Sequence, residues 1–218
     1  MKRIIIICEG STEQVFCQKT LQPYLIEKGI SIQAPLIKHS NGGIVRWEIL
    51  KKQIEIHLKT DTSAVVTTFI DYYGLYSKFG FPDWESSEKI PYPNEKMDSL
   101  ENGMQKDIAE ELRHRFIPYI QLHEFEGLLF NNIDIIYEQI PSEDLVGIEE
   151  LKQTFADYKN PELINNSKET APSKRLDRII KGYNKVIYGA ILAETIGMPR
   201  MREKSPRFNS WIEKLELL

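Results

Sequence analysis

Residues 4–13 read Ile4-Ile5-Ile6-Ile7-Cys8-Glu9-Gly10-Ser11-Thr12-Glu13, and their order decides the fold class. An unbroken apolar run opening with four β-branched residues suits a strand covered on both faces, as central strands of parallel sheets are. The run stops at Glu9, too short for a signal-sequence core and far short of the roughly 20 residues of a membrane helix. Ser11-Thr12-Glu13-Gln14 fits a capping box in which Gln14 reaches back to Ser11, so a helix is predicted to follow at once. Val15, Phe16, Lys19, Leu21 and Leu25 continue at roughly helical spacing, and Gly29 closes the helix.

The alternation continues along the chain. A second strand is expected over 32–37, with Pro35 marking an edge or a bulge. The turn His39-Ser40-Asn41-Gly42-Gly43 leads to a helix over 44–58, a third strand over 64–70 and a Gly- and Pro-bearing loop over 72–94. A helix over 98–115 and a fourth strand over 117–122 follow. Beyond Asn131 only helical patterns are predicted, over 133–140, 143–158, 173–183, 186–196 and 208–217. The reading is an α/β core over 1–131, a mostly parallel, Rossmann-like sheet flanked by helices, with a helical C-terminal extension over 132–218 packed on it.

With 218 residues, 41% hydrophobic and 28% charged, the chain can build a globular core, which excludes a disordered or fibrous protein. Two cysteines, Cys8 and Cys17, exclude a disulfide framework and lack zinc-site spacing. Together with the missing leader pattern they lead to the expectation of a reducing cytoplasm and no membrane. The net charge of −4 hides a strong asymmetry. Residues 82–150 carry 17 acids against 5 Lys/Arg, a net of −12, whereas 172–218 carry 10 Lys/Arg against 5 acids, a net of +5. An anionic partner would meet the second segment first, with Arg175, Arg178 and Lys181 as its candidate nucleic-acid contacts, unless they form a solvated face or pair with acids of the core.

Acids stand directly after three predicted strands: Glu9, Asp71, and the cluster His123-Glu124-Phe125-Glu126. In a parallel sheet those strand ends share one edge, where open α/β folds bind ligands. Each acid could instead cap the next helix; three coincidences favour a site. Glu13, one helical turn after Glu9, would face the same crevice. Carboxylates gathered there need a compensating cation, and oxygen donors favour Mg²⁺ or Mn²⁺. Lys185 is the candidate for a cation that steadies transition-state charge, and its alternative is a solvated lysine at a helix start. His123 is secondary, as a ligand, a proton carrier or a structural hydrogen-bonding residue. Tyr72, Tyr73 and Tyr76 could stack on bases or pack against the fold. Arg46, Lys51 and Lys52 follow Gly42-Gly43, where a helix N-terminus could hold a phosphate, but the spacing of a P-loop or a dinucleotide fingerprint is missing.

Taken together, Glu9-Gly10-Ser11-Thr12-Glu13 after the first strand, Asp71 after an apolar strand and the later acidic cluster resemble a TOPRIM (topoisomerase-primase) domain. The glutamate at position 13 is similar to that of the overcoming-lysogenisation-defect nucleases. The segments TTFIDYYGL, IQLHEFEGLLF, PSKRL and SPRFNSWI resemble a bacterial family of unassigned function with a TOPRIM-like core, over nearly the whole chain. The resemblance implies members often encoded beside ATPases in loci associated with phage defence. It also implies a Mg²⁺- or Mn²⁺-dependent nuclease acting on nucleic acid with an ATPase partner; a homodimer is a separate expectation, which the resemblance does not supply. Glu9 would be the first TOPRIM glutamate, a metal ligand or general base, and Asp71 the first aspartate of an Asp-x-Asp pair. The second position of that pair is Tyr73, so further metal ligands would come from Glu13, Glu124 or Glu126. The competing expectations are a catalytically inactive TOPRIM-like adaptor and a small-molecule phosphohydrolase.

Overall fold

A computed structural model describes residues 1–40, 43–165 and 167–218. Asn41 and Gly42 of the expected glycine turn lie outside the described residues. β1 (Lys2–Cys8), β2 (Ile30–Gln33), β3 (Val65–Asp71), β4 (Phe116–Ile117) and β5 (Ile120–Gln121) form one sheet in the order β2-β1-β3-β4, with β5 also on β3. Every pairing between these strands is parallel. The chain is thus an α/β protein with a parallel, Rossmann-like sheet flanked by helices.

The sequence of β1 shows why it runs apolar throughout. Ile4, Ile6 and Cys8 point into one core, and Ile5 and Ile7 into another on the opposite face. The first core takes Phe16 of α1 (Ser11–Phe16), Leu25 of α2 (Gln22–Ile26) and much of the C-terminal half. The second takes Leu50 and Ile54 of α3 (Trp47–Thr60). After the short helix α4 (Trp84–Ser87), that second core is completed by Met97, Leu100 and Met104 of α5 (Pro93–Asp107) and Leu112 of α6 (Glu110–Arg113). The chain therefore leaves β1 over one face to reach β2 and returns over the other face to reach β3. Strand order reverses between β1 and β3, and the crevice at their carboxyl ends is the switch point of the sheet.

The C-terminal half is helical: α7 (Ile133–Gln139), α8 (Ile148–Asp157), α9 (Pro172–Ile179), α10 (Lys185–Ile196), α11 (Met198–Lys204) and α12 (Pro206–Glu216). It packs on the core and forms much of one covering layer. Trp211 is buried, stacks on Tyr119 at 4.4 Å, and donates its indole N–H to Thr67 Oγ1 of β3 at 2.9 Å. No helix among the described residues is long and apolar enough to cross a membrane.

Several expected boundaries move. The cap of α1 sits one residue earlier: Gly10 is the N-cap, its N–H donates to Glu13 Oε2 at 2.8 Å, and Gln14 instead donates to the Ala34 carbonyl. Between α1 and α2 the chain makes a π-helical turn (Cys17–Leu21), which advances the phase and leaves the Lys19 side chain 59% exposed rather than on the apolar stripe. Pro35 ends β2 early, though β2 is an edge strand as anticipated. Pro118, lacking an N–H, splits the fourth strand into β4 and β5. Across the gap Thr68 Oγ1 both donates to the Tyr119 carbonyl and accepts its N–H. The expected loop over 72–94 contains α4 and the start of α5, the expected helix over 98–115 breaks at Ile108, and α11 was not anticipated at all.

Candidate functional site

Glu9 leaves the end of β1 and Asp71 closes β3, so the two strands flanking the switch point each deliver one carboxylate. They are locked together through backbone. Glu9 Oε2 accepts the Asp71 N–H at 3.0 Å, and Asp71 Oδ1 accepts the Phe125 N–H at 3.0 Å. That second bond draws in the 3₁₀ turn Phe125–Leu129, which carries Glu126. Glu13 lies in the first turn of α1, held by the Gly10 N–H. A Cβ on Gly10 would stand 3.1 Å from Glu13 Oε2, so a larger residue there would press on that carboxylate.

Lys185, the first residue of α10, brings its ammonium to 3.1 Å from Glu126 Oε1. α10 comes this close because Gly189 lies against α1: a Cβ there would meet Thr12 Cγ2 at 3.2 Å and the Phe125 ring at 3.6 Å. Glu13 and Glu126 are almost wholly buried, and Glu9 and Asp71 half-buried.

Four carboxylates therefore lie within the field of the Lys185 ammonium. Burial pushes Glu9 up to about 8 and Glu13 to about 7, and the charges of neighbouring acids add to both. Burial and the charges of Glu13 and Glu9 hold Asp71 well above the usual carboxylate range. Burial also raises Glu126, against the pull of Lys185. Burial works to lower Lys185, but the fields of Glu126 and Glu124 outweigh it and hold the ammonium up at about 12.

The hydrogen bonds sort the acids. Glu9, Glu13, Asp71 and Glu126 each use one oxygen on a backbone N–H or on Lys185, and among the described residues the second oxygen of each accepts no hydrogen bond. Glu126 Oε2 is buried without a partner. Glu124 differs: its two oxygens take the backbone N–H and the hydroxyl of Ser173 at 2.8 and 2.9 Å, capping α9. It stands beside the site but is committed to the fold. Among the described residues no group of three or more His, Cys, Asp or Glu side chains is placed so that it could hold a metal ion. The donors themselves, all oxygen with one spare oxygen per carboxylate, are of the kind a hard divalent cation takes.

The remaining candidates fall elsewhere. His123 adopts a left-handed backbone (φ 64°), its Nδ1 is buried without a partner among the described residues, and burial lowers its imidazole to about 4. Its carbonyl accepts the Tyr73 N–H at 2.8 Å, so both residues continue the β3–β5 ladder past its end. Arg175 and Arg178 turn to Glu150 of α8, Arg178 with a 3.1 Å hydrogen bond, so part of the expected basic surface is matched within the chain; Lys181 is exposed. Sequence reasoning missed the Tyr183 hydroxyl, buried and unpartnered among the described residues in the field of Glu126 and Glu124. It also missed the three backbone N–H groups that aim Glu9, Glu13 and Asp71, which no side-chain pattern encodes.

No curated protein and no solved structure matches this chain significantly. A family described as a domain of unknown function (DUF4276) matches residues 8–216, nearly the full length, and the chain belongs to that family.

Proposed function

We propose that this protein is a divalent-metal-dependent nuclease with a TOPRIM-like site. One observation carries the reading. Four carboxylates meet at the switch point of a parallel sheet, each steadied through one oxygen while the other is left over, against a single lysine. Glu9, Glu13, Asp71 and Glu126 would hold Mg²⁺ or Mn²⁺. When bound, such an ion polarises a phosphoryl oxygen and makes hydroxide available near neutral pH. The chain's residues supply the rest. Backbone N–H groups fix the carboxylates, Glu9 can hold or release a proton near neutral pH, and Lys185 offers positive charge to a phosphodiester entering the crevice. The resemblance described above adds an ATPase partner and a role in phage defence to the proposal.

The test is cleavage of single- and double-stranded DNA and RNA by purified protein with Mg²⁺ or Mn²⁺ and with chelator. Metal-dependent cleavage is expected, with Glu9→Gln and Asp71→Asn each reducing it at least a hundredfold while circular dichroism stays unchanged. Equal cleavage by both variants would remove these residues from the mechanism. A second reading, an inactive adaptor that binds an ATPase or nucleic acid, is favoured by Tyr73 at the second aspartate position. It predicts no cleavage with any metal.

A further inference from the structure

Five residues after Asp71, on the loop that leaves the same sheet edge, stands an aromatic side chain the core does not use. Tyr76 is 54% exposed, whereas Leu75 beside it is buried in the core under α3 and α5. Leu75 donates its N–H to the Tyr72 carbonyl at 3.1 Å, and Tyr76 opens a 3₁₀ turn (Ser77–Phe79) whose Phe79 N–H returns to the Tyr76 carbonyl at 2.9 Å. The ring is thus presented outward from an anchored turn. Phe79 lies 6.3 Å from Tyr76 at an interplanar angle of 31°. The Lys78 ammonium stands over both rings, at 5.5 and 5.1 Å from their centroids. The neighbouring tyrosines are engaged: Tyr72 stacks on Trp84 and hydrogen-bonds Glu88, and Tyr73 is half-buried.

The charges around this loop bear on what the ring could hold. Duplexes are bound mainly through phosphates, by lysines and arginines along a track. Here the segment following the loop is strongly acidic, and Arg175 and Arg178 are paired to Glu150. Base stacking adds an attraction that does not act through the phosphates and is open to every base, since each has a π-face, and a nearby cation reinforces the stack.

We infer that Tyr76, with Phe79 and Lys78, is a stacking platform that seats an unpaired base of single-stranded nucleic acid on the sheet edge that carries the carboxylate crevice. This rests on the nuclease reading of that crevice and names its substrate class. The platform is tested by anisotropy of labelled single-stranded DNA, single-stranded RNA and duplex DNA of one sequence, with the full chain in chelator so that cleavage plays no part. Single strands should bind more tightly than the duplex. Tyr76→Ala should weaken single-strand binding on the order of tenfold, with Tyr76→Trp retaining it. Lys78→Gln should lower the salt slope by about 0.7. Tyr76→Ala binding single strands as the wild type does would overturn the proposal, as would equal losses on duplex and single strand. Absence of single-strand binding by the wild type would overturn it too. The DNA and RNA arms identify which strand is held. Failure of cleavage in the metal assay leaves this binding result untouched and counts against the metal reading alone.

Discussion

Glu124 and Glu126 stand two residues apart on the loop after β5, yet the structure gives them opposite duties. Glu124 gives both oxygens to Ser173, whereas Glu126 keeps one on Lys185 and leaves the other buried and unpartnered among the described residues. Replacing Glu124 by Ala strands two donors at the start of α9 and should cost about 1–3 kcal/mol in chemical denaturation with little change in Mg²⁺ affinity. Replacing Glu126 by Gln should leave stability nearly unchanged and weaken Mg²⁺ binding tenfold or more. Calorimetric titration beside denaturation separates the two, and the reverse pattern would exchange their roles. The sequence could place both at a strand end because that position is a local property. It could not separate them, because Ser173 lies 49 residues downstream. Glu13 and Gln14 were confused for a similar reason: a one-residue shift of the cap leaves the local pattern almost unchanged.

At the scale of elements, the C-terminal helices decide how the sheet is covered. Trp211 on α12 fills the face beside Tyr119 and Phe69 and hydrogen-bonds Thr67, so it joins the end of the chain to the central strand β3. Trp211→Ala should cost about 3–5 kcal/mol, read as a lower denaturation midpoint. A loss below about 1 kcal/mol would mean that α12 is an appendage rather than part of the core. Strands were the legible elements, since apolar runs such as 4–8 and 64–70 admit little else. Helix starts were less so. Pro93 falls in the Gly- and Pro-bearing stretch read as a loop, but proline at the first turn of a helix begins one, as in α5. The π turn carries no residue signature, which is why Lys19 was assigned to the wrong face.

Over the whole molecule, the crowded acids couple folding to pH and, on the proposed reading of the site, to divalent metal. Glu9 rises from an ordinary 4.5 to about 8 and Glu13 from 4.5 to about 7, so between these values the folded chain holds more protons than the unfolded one. Stability therefore falls as pH climbs from about 4.5 towards 8, the opposite of a salt-bridged acid. A divalent cation bound by the ionised carboxylates, as proposed, would offset that loss, and most at high pH because the ligands must be deprotonated. The measurement that bears most directly on the site is thermal unfolding at pH 6.0 and 8.5, with and without Mg²⁺, for wild type and Asp71→Asn. The predicted result is a wild-type midpoint that drops at pH 8.5 in chelator and rises by about 5–10 °C with Mg²⁺ at one-hundredfold its dissociation constant. The increment should be smaller at pH 6.0 and absent in Asp71→Asn. An equal Mg²⁺ response in wild type and Asp71→Asn, or none in wild type at pH 8.5, would contradict a metal centre at the switch point.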